Sequence, residues 1–195
     1  EKVISKFISA YEHGITPNPC VDCNRTLKFD ELFRAGKELG QDYIATGHYV
    51  IVEHGEDGRY KLKKAVDLSK DQSYVLYSLS QEQLSHTMFP LGSMHKSETR
   101  TIAEAHGFIS AKRKESQDIC FIPDGDYASF IERYTGKKIA SGNFVDMDGN
   151  VLGIHRGIIH YTVGQRKGLG LALKHPMYVQ YIDVDNNEVV LGSNE

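Results

Sequence analysis

The sequence predicts an α/β chain, with part of a parallel-sheet domain followed by a small β-rich domain. Two observations carry this prediction. Between residues 27 and 47 a helical period is stopped by Gly40 and followed at once by a short apolar strand, Asp42 to Thr46, that ends at Gly47. Helix, turn and short strand form the repeating unit of a parallel sheet. Past Gly136-Lys137-Lys138 the texture changes. Residues 142–195 are rich in glycine and β-branched side chains. They read as short strands at 144–145, 151–152, 161–163, 178–184 and 188–191, with turns at Asp148-Gly149 and Asp185-Asn186-Asn187. The expected domains are therefore 1–138 and 139–195.

The remaining elements follow in order. Val3, Ile4, Phe7, Ile8 and Tyr11 recur at helical spacing and Gly14 stops them, so 1–13 reads as a helix expected to pack on the sheet. The chain opens on Glu1, without Met, directly in that period, which reads as a fragment. Two prolines and two asparagines mark 15–25 as a loop. Leu27, Leu32, Phe33 and Leu39 are the expected core positions of the next helix. Tyr49–Val52 and Tyr60–Ala65 flank Gly-Glu-Asp-Gly at 55–58, a hairpin signal. Short helices are expected at 81–84, at 97–106 with Ser97 and Glu98 as cap and first turn, and at 126–134.

Composition excludes several classes. The 195 residues are 40% hydrophobic and 25% charged, ordinary for a globular protein, and no apolar run approaches the roughly 20 residues of a membrane helix. Three cysteines are too few for a secreted disulfide scaffold, so a reducing cytoplasm is expected. The net charge of -3 rules out a polycation, but it is uneven: residues 95–175 hold 12 Lys and Arg against 9 Asp and Glu, while 176–195 hold none against 4. A basic middle suits RNA phosphates and equally suits a solvated face.

Cys20 and Cys23 form a CxxC beside a helix start, where backbone N–H groups can stabilise a thiolate. Such thiols serve metal binding, disulfide exchange or sulfur transfer. No second CxxC completes a zinc site and the nine histidines are scattered. Inert packing is the bland alternative; it suits Cys120, flanked by Ile119 and Phe121, better than Cys20 and Cys23, beside Pro19 and Asp22. Gly47 and His48 lie just past a strand end, where open α/β sheets bind ligands, although the residues by themselves favour a tight turn with an exposed histidine. Lys112-Arg113-Lys114 is a charge run of the kind that usually faces solvent. Gln165, Arg166 and Lys167 lie between glycines, so their backbone can approach a partner closely. Arg suits phosphate forks and Gln suits base edges, and the bland alternative is a charged β-turn.

Five stretches in fixed order resemble the bacterial tRNA 2-thiouridylases over essentially the whole chain. They are TPNPCVDCNR at 16–25, IATGHYV at 44–50, KDQSYVLY at 70–77, SQDICFI at 116–122 and GIIHYTVGQRKGLGL at 157–171. The resemblance implies an adenine-nucleotide α-hydrolase-like (PP-loop) domain, then a β-rich tRNA-binding domain. It implies ATP with Mg2+, a wobble-uridine tRNA as substrate, a persulfide sulfur-donor protein as partner, and no membrane. Cys23 is then the catalytic nucleophile and Cys120 the persulfide carrier, the two ending as a disulfide. Gly47 contacts ATP through its backbone. Asn18, Pro19, Cys20, His48, Lys70, Asp71 and Gln72 face the tRNA. Many family members carry Asp where this chain has Cys20, so a second route stays open, a [4Fe–4S] cluster on Cys20, Cys23 and Cys120. The family's Gly-rich phosphate loop and its far C-terminal barrel have no counterpart in this sequence.

Overall fold

The computed structural model describes residues 2–112 and 119–193. Two compact units divide the chain, one made of Glu1–Pro19 with Ser116–Glu195, the other of Cys20–Glu115. The first unit is thus discontinuous in sequence, and the first helix belongs to it.

In the Cys20–Glu115 unit the predicted loop turns helical. Pro19 opens α2 (Pro19–Cys23), which passes into a π-helix (Asn24–Glu31) and then α3 (Leu32–Glu38). Proline at a first helical position loses no hydrogen bond, so Pro19 starts a helix instead of breaking one. The π-helical stretch also changes which side chains face inward. A wider turn shifts the phase of every following residue, and the 3.6-residue reading fails here. Phe29 is fully buried, whereas Leu27, Leu32 and Leu39 are exposed and Phe33 is half-buried.

The expected strand after α3 is β1 (Ile44–Ala45), and it pairs in parallel with β4 (Thr87–Met88), Ile44 opposite Thr87. The parallel pairing is the α/β signature expected, though it spans two residues on each strand. β2 (Val50–His54) and β3 (Tyr60–Lys64) form the expected hairpin, Val50 opposite Lys64 and His54 opposite Tyr60. Gly58 takes a left-handed φ of 73° in its turn. Phe29, Ile44, Val50, Val75 and Leu76 form the core, with Phe89 packed on it. Gly92 lies against Val50, where an added Cβ would fall 1.9 Å from the carbonyl oxygen. α4 (Gln81–Ser85) carries a reciprocal Ser80–Gln83 cap. α5 (Lys96–Ala105) begins one residue before the expected cap: Glu98 accepts from the His95 N–H at 2.7 Å, and Ser97 lies inside the first turn.

The other unit is built on a four-stranded sheet of β5 (Gly142–Val145), β6 (Val151–His155), β7 (Tyr178–Asp183) and β8 (Glu188–Gly192), in the order β6-β5-β8-β7. β5 and β8 run parallel; the outer pairs are antiparallel. No strand forms at 161–163. Ile158–His160 is a 3-10 turn between Gly157 (φ 120°) and Gly164 (φ 84°), and the N–H groups of Thr162 and Gly164 go to the Gln165 side chain and the Val179 carbonyl, not to a ladder. α6 (Tyr127–Thr135) is capped by Asp126, which accepts from Ser129, and ends at left-handed Gly136.

The helix α1 (Ile4–Glu12) was expected on the parallel sheet and packs elsewhere. Phe7 sits edge-on to Phe121, Tyr127 and Phe130, with centroids 5.5 to 6.4 Å apart. Phe7, Ile8 and Tyr11 share one core with Ile131, Phe144, Val179 and Leu191. Periodicity identifies an apolar face but not the surface it will meet.

Candidate functional site

The CxxC lies on the helix that Pro19 opens. Cys20 is exposed in its first turn and Cys23 is half-buried at its last residue. Three residues apart on a helix, they share a face. Behind them Asn24 is 3% exposed. Its Nδ2 donates to the Cys20 carbonyl at 2.9 Å, and its Oδ1 has no partner among the described residues. Thr26 donates to the Asp22 carbonyl at 2.7 Å. Asn18 is exposed, while Pro19 is buried, its ring spent on the helix start.

Cys120 belongs to the other unit and occupies the corner of a turn closed by the Ile122 N–H on the Ile119 carbonyl at 2.9 Å. Ile119 and Phe121 pack against the core and Ile122 is buried, yet Cys120 is exposed. The inert-packing reading of Cys120 therefore fails, because the turn sends its neighbours inward and its thiol outward. Ser116, Gln117 and Asp118 of the same motif, with Arg113 and Lys114 of the charge run, lie outside the described residues. Among the described residues no three His, Cys, Asp or Glu side chains gather as a metal site.

Just past β1, Gly47 is exposed and His48 is 5% exposed, packed against Phe29 and Phe89. The exposed-histidine reading thus fails as well. Lys28 Nζ lies 3.3 Å from His48 Nε2, and Thr46 Oγ1 lies 2.8 Å from His48 Nδ1. An ammonium can only donate, so Nε2 is bare and the Nδ1 proton goes to Thr46. Burial, with Lys28 adding to it, pushes the imidazole down to about 4, so the ring is neutral near pH 7. Neither Lys28 nor Thr46 was marked by the sequence; only the fold brings Lys28 to a residue 20 positions away.

The remaining residues divide by what their side chains already do. Asp71 accepts from the Ala65 N–H at 2.9 Å and from Ser73 at 2.7 Å, and Gln72 accepts from the Tyr49 N–H at 3.1 Å. Both tie their loop to the hairpin. Lys70 ends a 3-10 turn whose Asp67 cap accepts from Ser69. Beyond the triplet, Tyr74 and Tyr77 are exposed while Val75 and Leu76 are buried, an alternation that fits base stacking and was missed in the sequence. Gln165 accepts from the Thr162 N–H at 3.0 Å and donates to the Lys167 carbonyl at 2.9 Å, so its amide braces the turn instead of facing out. Arg166 and Lys167 are exposed, and Arg166 borders an open groove of about 580 Å³ continued by residues 168–177, with Lys174 and His175 on its wall.

A helical thiol pair, a parallel strand end and a β-rich second half define an α/β chain with a second, β-rich part, and comparison with known proteins narrows it. Residues 1–124 match the tRNA methyl transferase HUP domain and residues 128–193 the tRNA methyl transferase PRC-barrel domain, and the chain belongs to this family. It is 53% identical over 193 residues to the tRNA-specific 2-thiouridylase MnmA of Lachnoclostridium phytofermentans, covering 99% of this chain and 54% of that protein. It is 55% identical over 196 residues to MnmA 1 of Caldanaerobacter subterraneus and 50% identical over 196 residues to MnmA of Clostridioides difficile, in each case covering 54% of the relative. The chain spans about half the length of the curated relatives it matches. No helix among the described residues is long and apolar enough to cross a membrane.

Proposed function

We propose that this chain carries the thiol chemistry of a tRNA 2-thiouridylase, a sulfurtransferase acting on the wobble uridine of tRNA in the cytoplasm. The observation that supports this best is the outward-facing thiol of Cys120 between two core-packed neighbours. A sulfur carrier has to be reached by a donor protein and by substrate, and an exposed turn corner allows both.

The chemistry follows from the groups. The uridine C2 oxygen attacks the α-phosphorus of ATP, entering with Mg2+ on its phosphates, and pyrophosphate leaves. The outer sulfur of a Cys120 persulfide then adds to C2. Cys23 thiolate attacks the Cys120 sulfur, the persulfide S–S bond breaks and a Cys23–Cys120 disulfide forms. The C2–O bond breaks with AMP as leaving group. The two electrons gained by the transferred sulfur come from the two cysteines, so a dithiol reductant must reopen the disulfide before the next cycle. By this reading Gly47 offers its backbone to ATP, Asn18, Cys20, Lys70, Arg166 and Lys167 face the tRNA, and buried His48 serves the tRNA side from beneath, through Lys28. Asp71, Gln72 and Gln165 act through the loops that they brace, and Pro19 through the helix that it starts.

The alternative sulfur carrier is a [4Fe–4S] cluster. Cys20 and Cys23 would supply two thiolates from one helical face, and the Cys120 turn would have to supply the third. The persulfide route asks less of the donor set. The domain boundary expected near residue 138 is best read as a boundary in chain order, with α1 and α6 lending their apolar faces to the β-rich half.

The test is thiolation of tRNA by the full-length protein with ATP and a persulfide donor. The expected product is 2-thiouridine in digested tRNA, lost in both Cys23→Ser and Cys120→Ser while tRNA binding persists. Wild-type product from either variant removes that thiol from the mechanism. A methylated nucleoside formed from a methyl donor would support the methyl-transfer reading that the family's description suggests. Iron retained on anaerobic reconstitution, and lost in Cys20→Ala, would favour the cluster.

A further inference from the structure

We propose that Lys28 is a phosphate-binding residue: its ammonium, docked on the imidazole of His48, receives a phosphate oxygen of the substrate where β1 ends at Gly47. The proposal rests on the reading that nucleotide and tRNA bind at this strand end.

Lys28 is an exposed residue of the π-helix, yet its Nζ sits 3.3 Å from the Nε2 of a buried histidine. Lysine stems are flexible, and an exposed ammonium ordinarily stays with water or finds a carboxylate. Among the described residues Lys28 pairs with no carboxylate; its hydrogen-bond partner is an imidazole. That choice has a consequence. A carboxylate partner would cancel the charge, whereas a neutral imidazole holds the ammonium in place and leaves its charge uncompensated. Thr46 completes the device. By accepting the Nδ1 proton at 2.8 Å, it keeps the bare Nε2 turned toward Lys28. Phe29 and Phe89 hold the ring on its sides. The outcome is a positioned cation with N–H donors to spare, beside a glycine whose backbone is open to a ligand.

Phosphate oxygens reach this end of the sheet from two sources, the nucleotide and the tRNA backbone. The experiment measures affinity of the full-length protein for a non-hydrolysable ATP analogue and, separately, for tRNA, in wild type, Lys28→Met, Lys28→Gln and Lys28→Arg. Lys28→Met and Lys28→Gln are expected to weaken one of the two affinities roughly tenfold or more, and Lys28→Arg to keep most of it. A loss confined to the analogue identifies the nucleotide phosphate. A loss confined to tRNA, with the log–log salt slope reduced by about 0.7 to 0.9, identifies the RNA backbone. If wild type binds both ligands and the neutral variants bind them equally well, the proposal is wrong and the functional reading stands. If wild type binds neither, the functional reading falls and the proposal falls with it.

Discussion

Cys23 and Cys120 are presented by opposite means. Cys23 is half-buried inside a continuous helical run, with buried Asn24 next to it holding the turn through the Cys20 carbonyl. Cys120 stands exposed at the corner of a four-residue turn whose other side chains anchor it to the core. The difference suits the two roles proposed for them. A carrier must be visited by several partners in succession and gains from an open corner. A resolving thiol acts once per cycle on one sulfur and gains from a fixed direction.

The largest expected effect tests that contrast directly. When a donor carrying labelled persulfide sulfur is supplied without tRNA, Cys120→Ser should take up no protein-bound label, whereas Cys23→Ser should load fully and fail only to release. Equal loading of Cys23 and Cys120 would erase the distinction.

A second test concerns the helix that directs Cys23. Phe29→Ala should cost about 3 to 5 kcal/mol in denaturant unfolding, since Phe29 is fully buried. Leu27→Ala, at a position 48% exposed, should cost less than about 0.5 kcal/mol. Equal costs would mean that the α-helical phase persists and that Cys23 points elsewhere.

Next in size is a pH effect in the Cys23 unit. The folded His48 titrates near 4, against 6.5 for a free imidazole. The unfolded chain therefore takes up the proton first. The neutral ring's contribution is complete above pH 6.5 and is lost as pH falls from 6.5 to 4, by about 3 kcal/mol in all. His48→Gln should flatten unfolding free energy across that window; an unchanged slope would show a solvated ring. His155 lies 1% exposed in the other unit, its pKa also lowered by burial, so it acts in the same direction.

The smallest effect is at the groove. Arg166→Ala should weaken tRNA binding less than tenfold and reduce the salt slope by at most about 0.9. Unchanged affinity at low salt would leave the Gln165–Lys167 turn a solvated loop.

Much of this architecture is legible in the sequence where local chemistry decides the outcome. Gly55 to Gly58 announces the hairpin, the helix expected from Asp126 is α6 to within a residue, and β-branched residues announce β7 and β8. The reading fails where a distant partner or a change of helical pitch decides. The π-helix shifts Phe29 inward without any mark in composition. Pro19 breaks or starts a helix according to its neighbours. The face of α1 is evident, but its destination beside Phe121 and Phe130 is a property of the packed unit. The thiols were visible as residue types and in motif order, while the exposure of Cys120 was not. Gln72 and Gln165 looked like ligands because a sequence does not show which side-chain amides the backbone has already claimed.

That destination of α1 sets a timetable for biosynthesis. Tyr11 shares its core with Val179 and Leu191, and Gly14 abuts Ile182. At a ribosome speed of about 5 to 20 residues per second, the helix emerges roughly 10 to 30 s before those strands exist. During that interval the face of Phe7, Ile8 and Tyr11 waits for its β7 and β8 partners, and Cys20–Glu115 is synthesised in the meantime. The nascent chain thus carries this apolar helix without its β7 and β8 partners through the making of an entire intervening unit, a window in which a chaperone that binds apolar helices would hold Phe7, Ile8 and Tyr11.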